Sequence, residues 1–478
     1  MRLSRLPACR PEDVGLDSAS LKRHSDAISR QIEMGYMPGV AECVLKENRV
    51  AYIDVQGYQD REQQVQMTDR SLHRCFSMTK PITGAGLMAL WEDGKLSLDD
   101  PVSKYIPAFK KMKVMKDSTV AMPGPRGGGS EDARREITLR HLVTHTSGLG
   151  YGPGRMDKRE KLVVRNSATQ EMYLDFVKRV DGGLIPNLEV FCAELAQLPL
   201  RFHPGECYKY SFGMDVIGRV LEIVSGMPLD RFLRTRILEP MGMRDTTFFL
   251  TPDQARRRLT GFYVAKPCSK DRVSKLPNSF SMKRRDGQRP ETSAWVAGRT
   301  ASVLAGGGIM GSFAGGLVSS LRDQALFCNA IVNLGYALTT GRRVLQEGTV
   351  RAMCKNWLRL KSVTTEKCLD GWYNDPSCER LGWCPLGFCE GSSLFMGGVG
   401  SWSINLRSKT VVISLANSWC EHDIHGWDDK VDELEGAVKC AEKSFKMGRQ
   451  HDSGSKRGHR GEASGSLKGG QAKRRRKA

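Results

Sequence analysis

Two strand-pair patterns stand at opposite ends of the chain, and any fold has to reconcile them. Residues 40–45 and 50–56 carry apolar and β-branched side chains around Lys46-Glu47-Asn48-Arg49, which predicts a hairpin. Residues 401–406 and 410–417 alternate around Arg407-Ser408-Lys409, which predicts a second. A lone hairpin is marginal in water, so the two are expected to share one sheet. Between them the apolar spacing is mostly helical. Leu21, Ile28 and Ile32 mark a helix over 18–34; others are expected over 137–149, 216–224, 230–238, 323–332 and 428–445, with a surface loop over 112–136. The economical fold class is α+β: an antiparallel sheet built from both termini, flanked by helices, with a helical domain inserted. The expected layout is a catalytic domain over 1–445, its helical part roughly 95–300, and a tail over 446–478.

The tail stands apart by composition. It carries 11 Lys/Arg against two Asp/Glu, is rich in Gly and Ser, and ends Lys473-Arg474-Arg475-Arg476-Lys477, in a chain whose formal charge is +20. Such a segment cannot bury a core and is expected to be disordered. It reads either as a nuclear address or nucleic-acid contact, or as a solvated tail. No run approaches the 18 apolar residues of a membrane span. The first residues lack the apolar stretch of a secretory signal, so an intracellular, cytoplasmic protein is expected, with the nucleus as the alternative. In that setting most of the 14 cysteines read as reduced, buried small hydrophobes. Cys368, Cys378, Cys384 and Cys389 cluster within 22 residues, but without the C-x2-C pair of a zinc knot, so a loop insertion is expected and no metal or cofactor.

The chemistry centres on Phe76-Ser77-Met78-Thr79-Lys80-Pro81. Ser77 and Lys80 are three residues apart and share a helix face. A serine hydroxyl becomes a useful nucleophile only when a base takes its proton, and a lysine is that base only when burial or a nearby cation lowers its pKa. Pro81 suits a first helical turn, and Asp93-Gly94 a helix end. Ser77 is thereby placed at a helix N-terminus, where free N–H groups favour developing negative charge.

Other segments compete for a role. Tyr210, within Tyr208-Lys209-Tyr210-Ser211-Phe212, would relay a proton if held beside Ser77 and Lys80, or else is a core aromatic. Met396-Gly397-Gly398-Val399-Gly400 opens a strand where backbone can approach a ligand closely, and an N–H there, with that of Ser77, would make an oxyanion hole; otherwise it is a bulge. His141 and His145 are spaced for one helix face, but lack a third ligand, so packing and capping are expected. Gly306-x-Gly308-x-x-Gly311 has the letters of a dinucleotide site without its βαβ context. No G-x-S-x-G elbow is present, which disfavours an α/β-hydrolase.

Several segments in order make the chain resemble the serine β-lactamase-related superfamily, on its class C-like carboxylesterase and transesterase ("family VIII") branch. They are Pro11 to Leu16, Phe76 to Lys80, Ile137 to Leu149, Tyr210-Ser211 with Asp215 to Gly218, Ile237 to Met243 and Ala314 to Ser319. The resemblance spans about residues 11–420 and implies a β-lactamase/transpeptidase-like fold. It implies Ser77 as the acyl-enzyme nucleophile, Lys80 as base and Tyr210 as proton relay. It places backbone N–H groups of Ser77 and Val399 at the oxyanion, and Met396, Gly397, Gly398 and Phe212 at the substrate pocket. Two departures stand out: Phe212 occupies the Asn place of Tyr-x-Asn, and Met396 the Lys place of Lys-Thr-Gly. A methionine cannot supply the charge-assisted bond that suits a substrate carboxylate. Neutral small esters or acyl thioesters are therefore the expected substrates, with acyl transfer, β-lactam or peptide cleavage, and a non-catalytic scaffold acting through its tail as alternatives.

Overall fold

The computed structural model describes residues 3, 6–116, 129–151, 168–267, 280–284, 315–359, 381–398, 400–420 and 434–443. Nine strands form the main sheet: β1 (Gly39–Lys46), β2 (Arg49–Asp60), β3 (Val65–Gln66), β4 (Leu358–Arg359), β5 (Gly382–Cys384), β6 (Gly387–Glu390), β7 (Ser393–Gly397), β8 (Ser401–Asn405) and β9 (Thr410–Ala416). Their order is β4-β5-β6-β7-β8-β9-β1-β2-β3, so the C-terminal strands continue into the N-terminal hairpin through the β9–β1 pair. That pair is antiparallel, with Val44 opposite Val412 and Leu45 opposite Val411.

Alternation along the strands sends these neighbours to opposite faces. Val44 and Val412 pack with Leu21 of α1 (Ser18–Glu33) and with Leu434, Val438 and Ala441 of the helical residues 434–443. Leu45 and Val411 enter the main core, which holds α2 (Thr79–Glu92), α4 (Gly213–Ser225) and α5 (Leu321–Val332). Every residue of α2 from Thr79 to Leu90 is buried, as expected of a helix with apolar or small residues on all sides. The β1–β2 turn places Glu47 and Asn48 at φ 52° and 67°, the left-handed pair of a tight hairpin. Asn48 is fixed there because its side-chain oxygen accepts from the amides of Asn329 and Asn333, the latter at the C-terminal end of α5.

Both expected hairpins are present, and the sheet does join the two ends of the chain. Three readings need correction. The stretch around Cys384 and Cys389, expected as a loop insertion, forms β5 and β6, which pair within the main sheet. The helix expected over 137–149 is only α3 (Leu139–Val143). The Thr144 hydroxyl turns back onto the Arg140 carbonyl and His145 takes φ 54°, so the helix stops and the two histidines do not share a face. The loop expected over 112–136 contains paired strands, Lys113–Met115 with Ser130–Asp132. The glycine run at 306–311, Cys368, Cys378 and the basic tail lie outside the described residues.

Candidate active site

A short 3-10 turn, Phe76–Met78, runs directly into α2 and carries Ser77. Phe76 is held at φ 45°, a conformation that side chains rarely adopt and that collects at functional sites when the surroundings enforce it. The enforcement is visible. The N–H of Cys75 donates to Leu317, the N–H of Leu317 donates to the Thr79 hydroxyl, and the Phe76 ring packs on Phe262.

One helical turn on, the Lys80 amine donates to Ser77 Oγ at 3.1 Å. Tyr210 Oη lies 2.8 Å from the same oxygen. Tyr210 is two residues before the N-cap of α4, whose packing against α2 and α3 brings it across. The Lys80 nitrogen also lies 4.5 Å from the centre of the Tyr210 ring and 5.7 Å from that of Tyr151. Lys80 is 1% exposed. Burial drives its pKa down to about 7, against the opposing pull of the Asp215 carboxylate. An amine that sheds its proton near neutrality, in contact with a hydroxyl, is the arrangement a serine nucleophile requires.

The segment at 396–400 reaches the same place. A side chain on Gly398 would come within 2.5 Å of the Cys75 carbonyl, so only bare backbone fits against the turn that carries Ser77. The Gly398 N–H donates to Gly400 at 2.6 Å; Val399 lies between them, outside the described residues. Met396 is buried in the main core, its sulfur closing on Gly387 of the neighbouring hairpin. Phe212 is fully buried in a ring cluster with Tyr151, Phe176 and Phe191. Among the described residues no cluster of His, Cys, Asp and Glu could hold a metal ion, and no helix is long and apolar enough to cross a membrane.

The beta-lactamase family model matches residues 25–431. The chain belongs to the beta-lactamase family. Within it, Esterase EstB of Burkholderia gladioli is 33% identical over 244 residues, covering 50% of this chain and 54% of that protein. An uncharacterised protein of Mycobacterium tuberculosis is 32% identical over 241 residues, 50% of this chain and 55% of that one. The chain thus spans about half the length of these relatives. Among solved structures, EstCE1, described as a hydrolase with promiscuous acyltransferase activity, superposes with a TM-score of 0.61 at 23% identity, covering 88% of this chain and 98% of that one. Unliganded simvastatin synthase LovD of Aspergillus terreus superposes with 0.63 at 17%, covering 90% and 99%. At these identities the structures establish the fold, a β-lactamase/transpeptidase fold, as the sequence resemblance implies. One relative in the family is named an esterase.

Three side chains around Tyr210 carry little or no signal in the sequence. Trp383 meets Tyr210 edge-on at 5.8 Å, yet lies between Gly382 and Cys384 in a stretch that reads as loop. Tyr151 meets Tyr210 at 5.3 Å. His145 stacks on Tyr210 at 4.5 Å, and the helical spacing that suggested a shared face with His141 pointed away from this contact.

Proposed function

We propose that the chain is a serine hydrolase that cleaves small neutral esters through an acyl-enzyme on Ser77. The observation that carries this reading is the contact between the buried Lys80 amine and Ser77 Oγ. Neutral Lys80 takes the Ser77 proton as Oγ attacks the ester carbonyl carbon. The resulting oxyanion is stabilised by the N–H groups of Ser77 and Val399. As the tetrahedral species collapses, the C–O bond to the alcohol breaks. Tyr210, within reach of the reacting oxygen, passes the proton from Lys80 to the departing alkoxide. Water then attacks the acyl carbon, gives its proton back along the same path, and releases the acid and Ser77. The pocket of this reading is formed by Met396, Gly397, Gly398 and Phe212, and no metal or cofactor takes part. Met396 stands where a lysine would offer a charge-assisted bond to a substrate carboxylate, which supports an acyl group without charge.

Acyl transfer, with an alcohol replacing water in the second step, uses the same residues. EstCE1, described as a hydrolase with promiscuous acyltransferase activity, and the synthase LovD share this fold, which favours transfer as a second activity of the same site. The purified protein is expected to release p-nitrophenol from p-nitrophenyl butyrate with a burst, and Ser77→Ala and Lys80→Ala to lose it. Activity surviving both changes refutes the assignment. Adding a primary alcohol should divert acid to ester if transfer competes. Hydrolysis of nitrocefin in preference to the ester would favour the β-lactam reading instead. Failure of a fluorophosphonate probe to label Ser77 would favour a scaffold acting through the tail, whose nucleic-acid binding would be salt-dependent and lost on truncation after Met447.

A further inference from the structure

His145 lies outside the hydrogen-bonded group of Ser77, Lys80 and Tyr210, yet two costs are accepted to place it. Its backbone sits at φ 54°, a left-handed conformation that is unfavourable for a non-glycine residue. Its ring is fully buried with Nε2 lacking a hydrogen-bond partner. Nδ1 accepts from the Ser211 N–H at 3.2 Å, which leaves the proton on Nε2. Burial, aided by the Lys80 cation, keeps the imidazole neutral.

These costs bring the ring to one place. It lies against the Tyr210 ring, centroids 4.5 Å apart and planes 30° apart. Trp383 meets it edge-on at 4.7 Å and 71°, and Tyr208 at 6.1 Å and 85°. Trp383 touches Tyr210 as well, so imidazole and indole together back the phenol. Ser211, the residue that fixes the imidazole, directly follows Tyr210, so ring and phenol are tied through a single peptide unit.

We propose that His145 is a positioning residue acting through Tyr210: its flat ring holds the phenol oxygen over Ser77 and keeps water away from Lys80. The inference rests on the proposed function for its kinetic consequence but not for its structural one. Among the groups facing the Lys80 amine are Ser77 from its own turn, the Tyr210 and Tyr151 rings, His145 behind Tyr210, and Asp215 from α4. Removing the imidazole opens space behind Tyr210, admits water, and eases the burial that holds Lys80 low.

The test compares His145→Ala with His145→Phe, which keeps a flat ring but no acceptor for Ser211. Lys80 titration is followed by NMR of lysine labelled at Cε, alongside the pH dependence of kcat/KM for p-nitrophenyl butyrate. In His145→Ala the Lys80 titration should move up by about one pH unit or more. The acidic limb of kcat/KM should move with it, and kcat should fall about tenfold or more with KM changed far less. In His145→Phe the titration should stay near that of the parent. Should His145→Ala not fold, His145→Gln, which keeps an acceptor but no ring, carries the comparison. An unmoved Lys80 titration in the ringless variant, or equal shifts in the Phe variant, overturns the proposal. Because the NMR titration needs no turnover, an inactive parent protein would refute the hydrolase reading while leaving this one to be decided.

Discussion

Lys80→Met should make the protein more stable and abolish ester cleavage. Burial lowers the Lys80 pKa from 10.5 to about 7, so the folded state binds this proton less tightly than the unfolded chain. Below pH 7 that difference destabilises the fold by ~5 kcal/mol, and at pH 7, with half the folded molecules already deprotonated, by ~4 kcal/mol. Methionine has a similar unbranched shape and no charge to bury. The change also removes the hydrogen bond to Ser77, worth about 1 kcal/mol net, and the contact with the Tyr210 ring, worth about as much. The variant should therefore be ~2 kcal/mol more stable at pH 7. The sign of the pH dependence follows from the lowered pKa. The penalty is constant below about 7 and fades as pH rises towards 10.5, where the unfolded lysine also loses its proton. Urea unfolding at pH 6, 7.5 and 9.5 should show the advantage of the variant shrinking with pH and reversing near pH 9. A variant less stable than the parent at pH 6, or a stability gap independent of pH, would refute a buried lysine of lowered proton affinity and with it the base assigned to Ser77.

Tyr210→Phe removes the hydroxyl 2.8 Å from Ser77 Oγ but leaves the ring contacts with His145 and Trp383; kcat on p-nitrophenyl butyrate should fall about 10²–10⁴-fold while the melting temperature barely moves. Gly84→Ala puts a methyl group 2.3 Å from the backbone oxygen of Pro385, where the β5–β6 hairpin rests on α2. Stability in urea should drop by about 3 kcal/mol or more, since backbone on both sides must give way. Asp323, buried near Asp245, has its carboxyl pushed up to about 6 by burial, so the folded state holds this proton more tightly than the unfolded one. Its contribution to stability is present below about 3.8 and is lost as pH rises through about 6; Asp323→Asn should flatten the pH dependence of urea unfolding by up to ~3 kcal/mol over that window.

What could be read from the sequence divides by the range over which each contact is set. Ser77 and Lys80 meet because a helix places residues three apart on one face, and Pro81 and Asp93-Gly94 punctuate that helix as their backbone chemistry requires. The two strand pairs were legible for the same reason, since alternation and a polar turn are local signals. That Tyr210 would reach Ser77, 133 residues away in the chain, follows from no local rule; the order of several motifs, not any spacing, pointed to it. His145 shows how a long-range contact can defeat a local reading. Helical spacing over 137–149 is regular, but one side chain is held by Tyr210, Ser211 and Trp383, and the helix stops two residues short of it. Trp383 was hidden for the complementary reason: two-to-four-residue strands between Gly, Cys and Pro are too short to show a period, and they form only because the neighbouring strands are already in place. Local order thus specifies Ser77 and the amine beside it. The packing that dries the amine, and so lowers its proton affinity, comes from segments whose own sequences announce neither strand nor site.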